Sequence, residues 1–155
     1  MRSNLNRKRR GFLLIDALAG MFVLCIGALA LFAAMPVAHK AANLAADQGK
    51  ATYIATKYIE QMQTLKTSDL TLTKLTTLNV VDAGQTGAPP YNFTHVPLDE
   101  GSYYSPATML KGATATVNFT NLDSGSVRVE VTIRWKSATG HQEQLVSGSI
   151  IGGYK

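Results

Sequence analysis

A single cysteine, Cys25, stands among the 155 residues. That excludes an internal disulfide framework and any Cys-rich zinc site. Charge is sparse as well: Asp, Glu, Lys and Arg make up 16% of the chain, against 46% hydrophobic residues. The mean hydropathy is +0.04, high for a soluble protein, so the first question is where the apolar residues sit. No P-loop, dinucleotide fingerprint or nucleophile motif occurs. His39, His95 and His141 are far apart and form no ligand-spaced set. The chain therefore does not read as an enzyme, and no metal or cofactor is expected. Asp99-Glu100 reads as a solvated turn. Asn92-Phe93-Thr94 and Asn118-Phe119-Thr120 match the glycosylation sequon, a pattern common by chance, and carry no weight. Acid is missing most conspicuously from the first ten residues, where Arg2, Arg7, Lys8, Arg9 and Arg10 have no acidic companion.

The formal charge of +5 and a sequence pI near 9.4 invite a nucleic-acid reading, which requires basic residues clustered on a folded face. The cluster found instead precedes an apolar run. From Gly11 to Ala38 the chain is apolar except at Asp16 and Pro36, and Ala17 to Ala38 is an uncharged stretch of 22 residues. A helix over Phe12 to Met35 would be about 36 Å long at about 1.5 Å per residue, enough for a hydrocarbon core of about 30 Å. The basic cluster should stay cytoplasmic by the positive-inside rule, with the rest of the chain outside. Residues 1–11 are thus read as a basic leader and 12–38 as a transmembrane helix. Without the leader, ten basic residues face ten acidic ones, and the charge no longer supports a nucleic-acid partner.

A secretory signal cleaved near Ala28-Leu29-Ala30 is one way to process this segment, and it would release or anchor a binding domain. Against it, the apolar run continues beyond that point and an acidic residue sits in its first turn. A lipoprotein at Cys25 is excluded by the bulky Leu24 before it, so Cys25 reads as a packing residue.

The run Arg9-Arg10-Gly11-Phe12-Leu13-Leu14-Ile15-Asp16 resembles the cleavage and methylation motif of type IV prepilins and type II secretion pseudopilins. The resemblance is tight over about the first 35 residues and loose over the whole architecture. It implies that a membrane peptidase, the prepilin peptidase, cuts between Gly11 and Phe12, and that Phe12 becomes N-methylated. Asp16 stands at the fifth mature position, where Glu is usual in the family. The Tyr53-to-Leu65 stretch and the strands around Trp135 also resemble PilV-like minor pilins and I-type minor pseudopilins. The resemblance implies a minor type IV pilin, or alternatively a minor pseudopilin. Such a subunit would be held in the bacterial inner membrane by one span, with its C-terminal domain periplasmic. It would assemble with other subunits through the apolar helix, as part of the pilus or its initiating tip complex, and so reach the cell surface.

Asp16 supports the same idea on physical grounds. A carboxylate inside an apolar helix is costly and by default marks function. In a bundle of such helices it could neutralise the Phe12 amine of a neighbouring subunit, which fixes axial register and relieves two desolvation costs. The alternative is a solvated interfacial charge favoured by the helix dipole.

Beyond Pro36 the pattern becomes amphipathic. Ala51, Ile54, Ala55, Tyr58, Met62 and Leu65 recur at three- and four-residue spacing, with Lys50, Lys57 and Gln61 between them. One helix over about 13–65 is expected, its half at 39–66 amphipathic; a break into two helices at Pro36 is the alternative. Residues 67–155 form a globular part. Its first stretch, 67–112, is expected to be an irregular connecting loop with one short strand around Thr77 to Val81. Strands follow at 113–151, because Ala113, Ala115, Val117 and Phe119, then Val127, Val129, Val131, Ile133 and Trp135, alternate with polar residues. A third run covers Gln142 to Ile151. The fold class is α+β, a long N-terminal helix packed on a small antiparallel meander, which is also the pilin-like layout.

Overall fold

A computed structural model describes residues 5–99, 103–122 and 125–152, with side chains described from residue 14 onward. One helix, α1, runs unbroken from Leu5 to Gln63 and carries Pro36 in its interior. The two-helix alternative is therefore not realised. A 3-10 turn (Thr67–Asp69) leads into a second helix, α2 (Leu72–Thr77). Strand β1 (Tyr91–Asn92), helix α3 (Pro106–Met109) and strands β2 (Thr114–Asn121), β3 (Val127–Lys136) and β4 (Gln142–Ile151) complete the order. The chain is α+β. It divides between Ala42 and Asn43 into two compact units.

In the second unit the strands form a four-stranded antiparallel sheet in the order β1-β2-β3-β4. Period-two alternation decides its faces. Val127, Val129, Val131, Ile133 and Trp135 are buried, while Arg128, Arg134 and Lys136 are exposed on the other face. The register sets Val131 between Val117 and Ser147, and Ile133 between Ala115 and Leu145. The β3–β4 turn closes where Gly140 takes a left-handed backbone (φ 88°) and the Ser137 N–H donates to the His141 carbonyl. Such a backbone is strained for any residue with a Cβ.

The C-terminal part of α1 supplies the second layer. Ala51, Ile54, Ala55, Tyr58 and Met62 are buried in one apolar cluster with the inner residues of the sheet. Their three- and four-residue spacing places them on a single helix face, while Lys50, Glu60 and Gln63 lie outside it. Burying a side chain as large as Ile54 or Met62 contributes about 1.5–3 kcal/mol, which is why the amphipathic half of α1 stays helical beyond the apolar run.

Between α1 and β2 the structure departs from the sequence expectation. No strand occupies 77–81: α2 ends at Thr77, Asn79 takes a left-handed backbone (φ 55°), and the Val80 N–H donates to the Leu75 carbonyl. The alternation in Leu70-Thr71-Leu72-Thr73 imitates a strand, but Leu72 and Leu75 are three apart and pack from a helical turn, with Leu75 fully buried. The strand in this region is β1, fourteen residues after α2. The rest of the segment is anchored. Val81, Phe93, Val96, Leu98 and Leu110 are all buried in the core. Tyr58 donates its hydroxyl to the Val80 carbonyl at 2.7 Å, and Gln61 Nε2 donates to the Leu98 carbonyl at 2.9 Å.

Candidate functional site

The first unit is a bare apolar helix. Each described side chain from Leu14 to Lys40 is exposed, and the large apolar ones include Leu18, Met21, Phe22, Leu29 and Phe32. This is one helix long and apolar enough to cross a membrane. Each of those large side chains would gain about 1.5–3 kcal/mol on leaving water. Beyond their chain neighbours and the backbone of their own helix turns, Gly20 and Gly27 have nothing within 4 Å of where a Cβ would stand. Glycine in a helix interior costs about 0.5–1 kcal/mol against alanine, and no contact within the described chain accounts for it. Small residues on such a helix allow close approach by another one.

Of the expected processing residues, Gly11 and Phe12 lie within the backbone of α1, ahead of the residues whose side chains are described. The basic residues Arg7 to Arg10 lie on the same continuous helix, while Arg2 is outside the described residues. Asp16 is exposed and takes part in no ion pair among the described residues. It sits four residues after Phe12, about one turn further along the helix backbone. Cys25 is exposed midway along the apolar run.

A second polar centre lies beside β1. Asp82 Oδ1 and Oδ2 accept the backbone N–H groups of His95 and Thr94 at 2.9 and 3.0 Å, and His95 Nδ1 lies 3.5 Å from the same carboxylate. Gln85 accepts the Asn92 N–H through Oε1 and donates to the Asn92 and Asp82 carbonyls through Nε2. An open cleft of about 450 Å³ is lined by these residues with Ala107 and Thr114. The Asp82 carboxylate and the Gln85 amide are committed to backbone partners and brace the loop, while the exposed His95 imidazole has the Asp82 carboxylate beside it. No group of three potential metal-binding side chains occurs among the described residues.

The other residues considered from sequence lie apart. His39 is on α1, His95 borders the cleft, and His141 precedes β4. Asp99 pairs with Lys57 at 3.7 Å on the surface, and Glu100 lies outside the described residues. Asn92 is in β1 and Asn118 in β2.

Inside the core, burial pushes the Tyr58 hydroxyl well above the ordinary tyrosine range, with the Asp82 carboxylate adding to the rise. The ring stacks on Phe93, with centroids 3.7 Å apart. From sequence, Tyr58 reads as an apolar helix residue, Asp82 as no more than a turn former, and Gln85 carries no signal. Their partners are distant backbone atoms, which no local pattern encodes. No family model, curated protein or solved structure matches the chain.

Proposed function

We propose that this chain is a minor type IV pilin: a structural subunit cut after Gly11 by prepilin peptidase, methylated on Phe12, and assembled through its apolar helix. The observation that carries the reading is the run from Arg9 to Asp16, in which a basic leader meets glycine, phenylalanine, three aliphatic residues and a carboxylate. The continuity of α1 from Leu5 to Gln63 supports it, because one helix can then serve first as membrane anchor and afterwards as filament core. The cytoplasmic leader and an outward-facing second unit follow from the charge asymmetry across the span. The same chemistry suits an I-type minor pseudopilin of a type II secretion system, and gene neighbourhood separates the two.

The deciding experiment is intact-mass and N-terminal peptide mass spectrometry of the protein made with its peptidase. The expected product begins at Phe12 and carries one added methyl group. A product beginning at Leu31, or an uncut chain, would overturn the assignment and favour a secreted or signal-anchored domain.

A further inference from the structure

The two edges of the sheet are finished differently. At β1 the edge is two residues long, and side chains seal it. The Asn92 N–H donates to Gln85 Oε1 at 2.6 Å, while the Asn92 carbonyl accepts from Gln85 Nε2 and the Asp82 N–H at 2.8 Å. The Thr94 and His95 N–H groups end on the Asp82 carboxylate. At β4 the edge is ten residues long, in unbroken register with β3, and contains no proline, lysine, arginine or bulge. Apart from the β3 ladder, the hydrogen bonds of β4 with the described residues go to side chains only: Gln63 to Ser149, and Arg134 to Gln144. A long, regular, uncapped edge is a template for another strand, and proteins ordinarily blunt it.

The residues on this edge say which strand fits. Leu145-Val146-Ser147-Gly148-Ser149-Ile150-Ile151 reads with the same chemistry in both directions. Laid antiparallel on itself about Gly148, it sets Val146 against Ile150, Leu145 against Ile151 and Ser147 against Ser149, each pair occurring twice. This is the reciprocal contact of a twofold interface. Val146 and Ile150 are 50% and 60% exposed on the outer face, and cross-strand apolar pairs are what stabilise such a junction. The seven residues carry no charge. Glu143 falls outside them, whereas an in-register parallel pairing would set Glu143 against itself. A side chain at Gly148 would also be tight from within, since the Val129 carbonyl lies 3.2 Å from where its Cβ would stand.

We propose that β4 is a self-association edge. Two copies of this chain pair antiparallel through 145–151, fusing two four-stranded sheets into one of eight strands. The proposal concerns the second unit alone and does not depend on the pilin reading.

The test uses the full chain in detergent micelles with Cys25→Ser as background. Coexpressed Val146→Cys and Ile150→Cys chains should give a disulfide-linked dimer on mild oxidation, several-fold more than either variant alone. In the single variants the equivalent cysteines are offset by four residues, about 14 Å at about 3.4 Å per residue, beyond the reach of a disulfide at about 7 Å. A second variant, Val146→Lys with Ile150→Lys, alters only exposed positions. It should keep its thermal transition and lose dimer at least tenfold in sedimentation analysis. A wild-type chain that is monomeric at all concentrations overturns the proposal. So does a dimer indifferent to both lysines, or cross-linking no better in the mixture than in the single variants, which is what association through α1 alone would give.

Discussion

Tyr58 and Asp16 are both polar groups on α1, and their surroundings ask opposite things of them. The Tyr58 hydroxyl is enclosed and has one partner, the Val80 carbonyl. Tyr58→Phe should leave that carbonyl without its donor and cost about 1–3 kcal/mol, the usual penalty for a buried group left unsatisfied, measured by denaturant unfolding in micelles. Ionisation gives a sharper signature. Because the folded state holds the Tyr58 proton more tightly than the unfolded state, this contribution to stability is complete below about pH 10 and is lost as pH rises beyond that. The Phe variant should show a shallower alkaline loss than the wild type; equal slopes would refute the linkage. Asp16 is the reverse case, a carboxylate with no ion-pair partner among the described residues on an otherwise apolar surface. If its role is to meet the Phe12 amine of another subunit, Asp16→Ala should be cut after Gly11 as efficiently as the wild type, yet enter sheared filaments at least tenfold less. Normal incorporation would reduce Asp16 to an interfacial charge.

Elements differ in how far their own residues determine them. β2, β3 and β4 were legible because period-two alternation over eight to ten residues leaves one choice of face, and the buried stripe of α1 was legible from its spacing. The stretch between them was not. α2 is six residues long, too short for helical periodicity to outweigh an accidental Thr/Leu alternation, and β1 is two residues long, too short to alternate at all. Long-range bonds hold both in place. The Asp82 carboxylate draws in the backbone at Thr94 and His95, and the Gln85 side chain stands where a further strand would be. Asp82→Ala should therefore act locally. Removing one acceptor strands two N–H groups, so amide exchange at 92–95 should speed up by at least tenfold more than the loss of global stability accounts for, while amides at the centre of β3 speed up only by the factor that this loss sets. The global cost should be about 1–3 kcal/mol. Uniform acceleration across the sheet would mean that Asp82 supports the whole unit rather than this corner. The processing residues present the converse: Gly11, Phe12 and Asp16 were chosen entirely from local sequence, and the fold adds only that they share one helix.

At the scale of the whole molecule, the 46% apolar content separates into two populations, one exposed along a helix and one buried in a core. Every buried apolar side chain among the described residues lies at Ala51 or beyond. The large apolar side chains from Leu14 to Val37 are all exposed. The division between Ala42 and Asn43 falls in the gap between the two. Charge separates along the same line, since residues 1–42 hold six basic residues and one acidic, whereas residues 43–155 hold nine of each. Deleting residues 1–42 therefore removes nothing from the core and removes the surface that water disfavours. It does cut α1, but the remaining turns from Asn43 to Gln63 keep the full stripe of Ala51, Ile54, Ala55, Tyr58 and Met62 against the sheet. A helix in a protein owes its stability mainly to such packing rather than to its length. The 43–155 fragment should be soluble without detergent and melt cooperatively, within about 1–2 kcal/mol of the second unit in the intact chain. The intact chain should precipitate when detergent is withdrawn. The readouts are circular dichroism melting and sedimentation of both proteins in the same buffer. A fragment that melts without cooperativity would show that the apolar run contributes to the fold of the second unit, and an intact chain that stays dispersed without detergent would show that its apolar surface is covered from within.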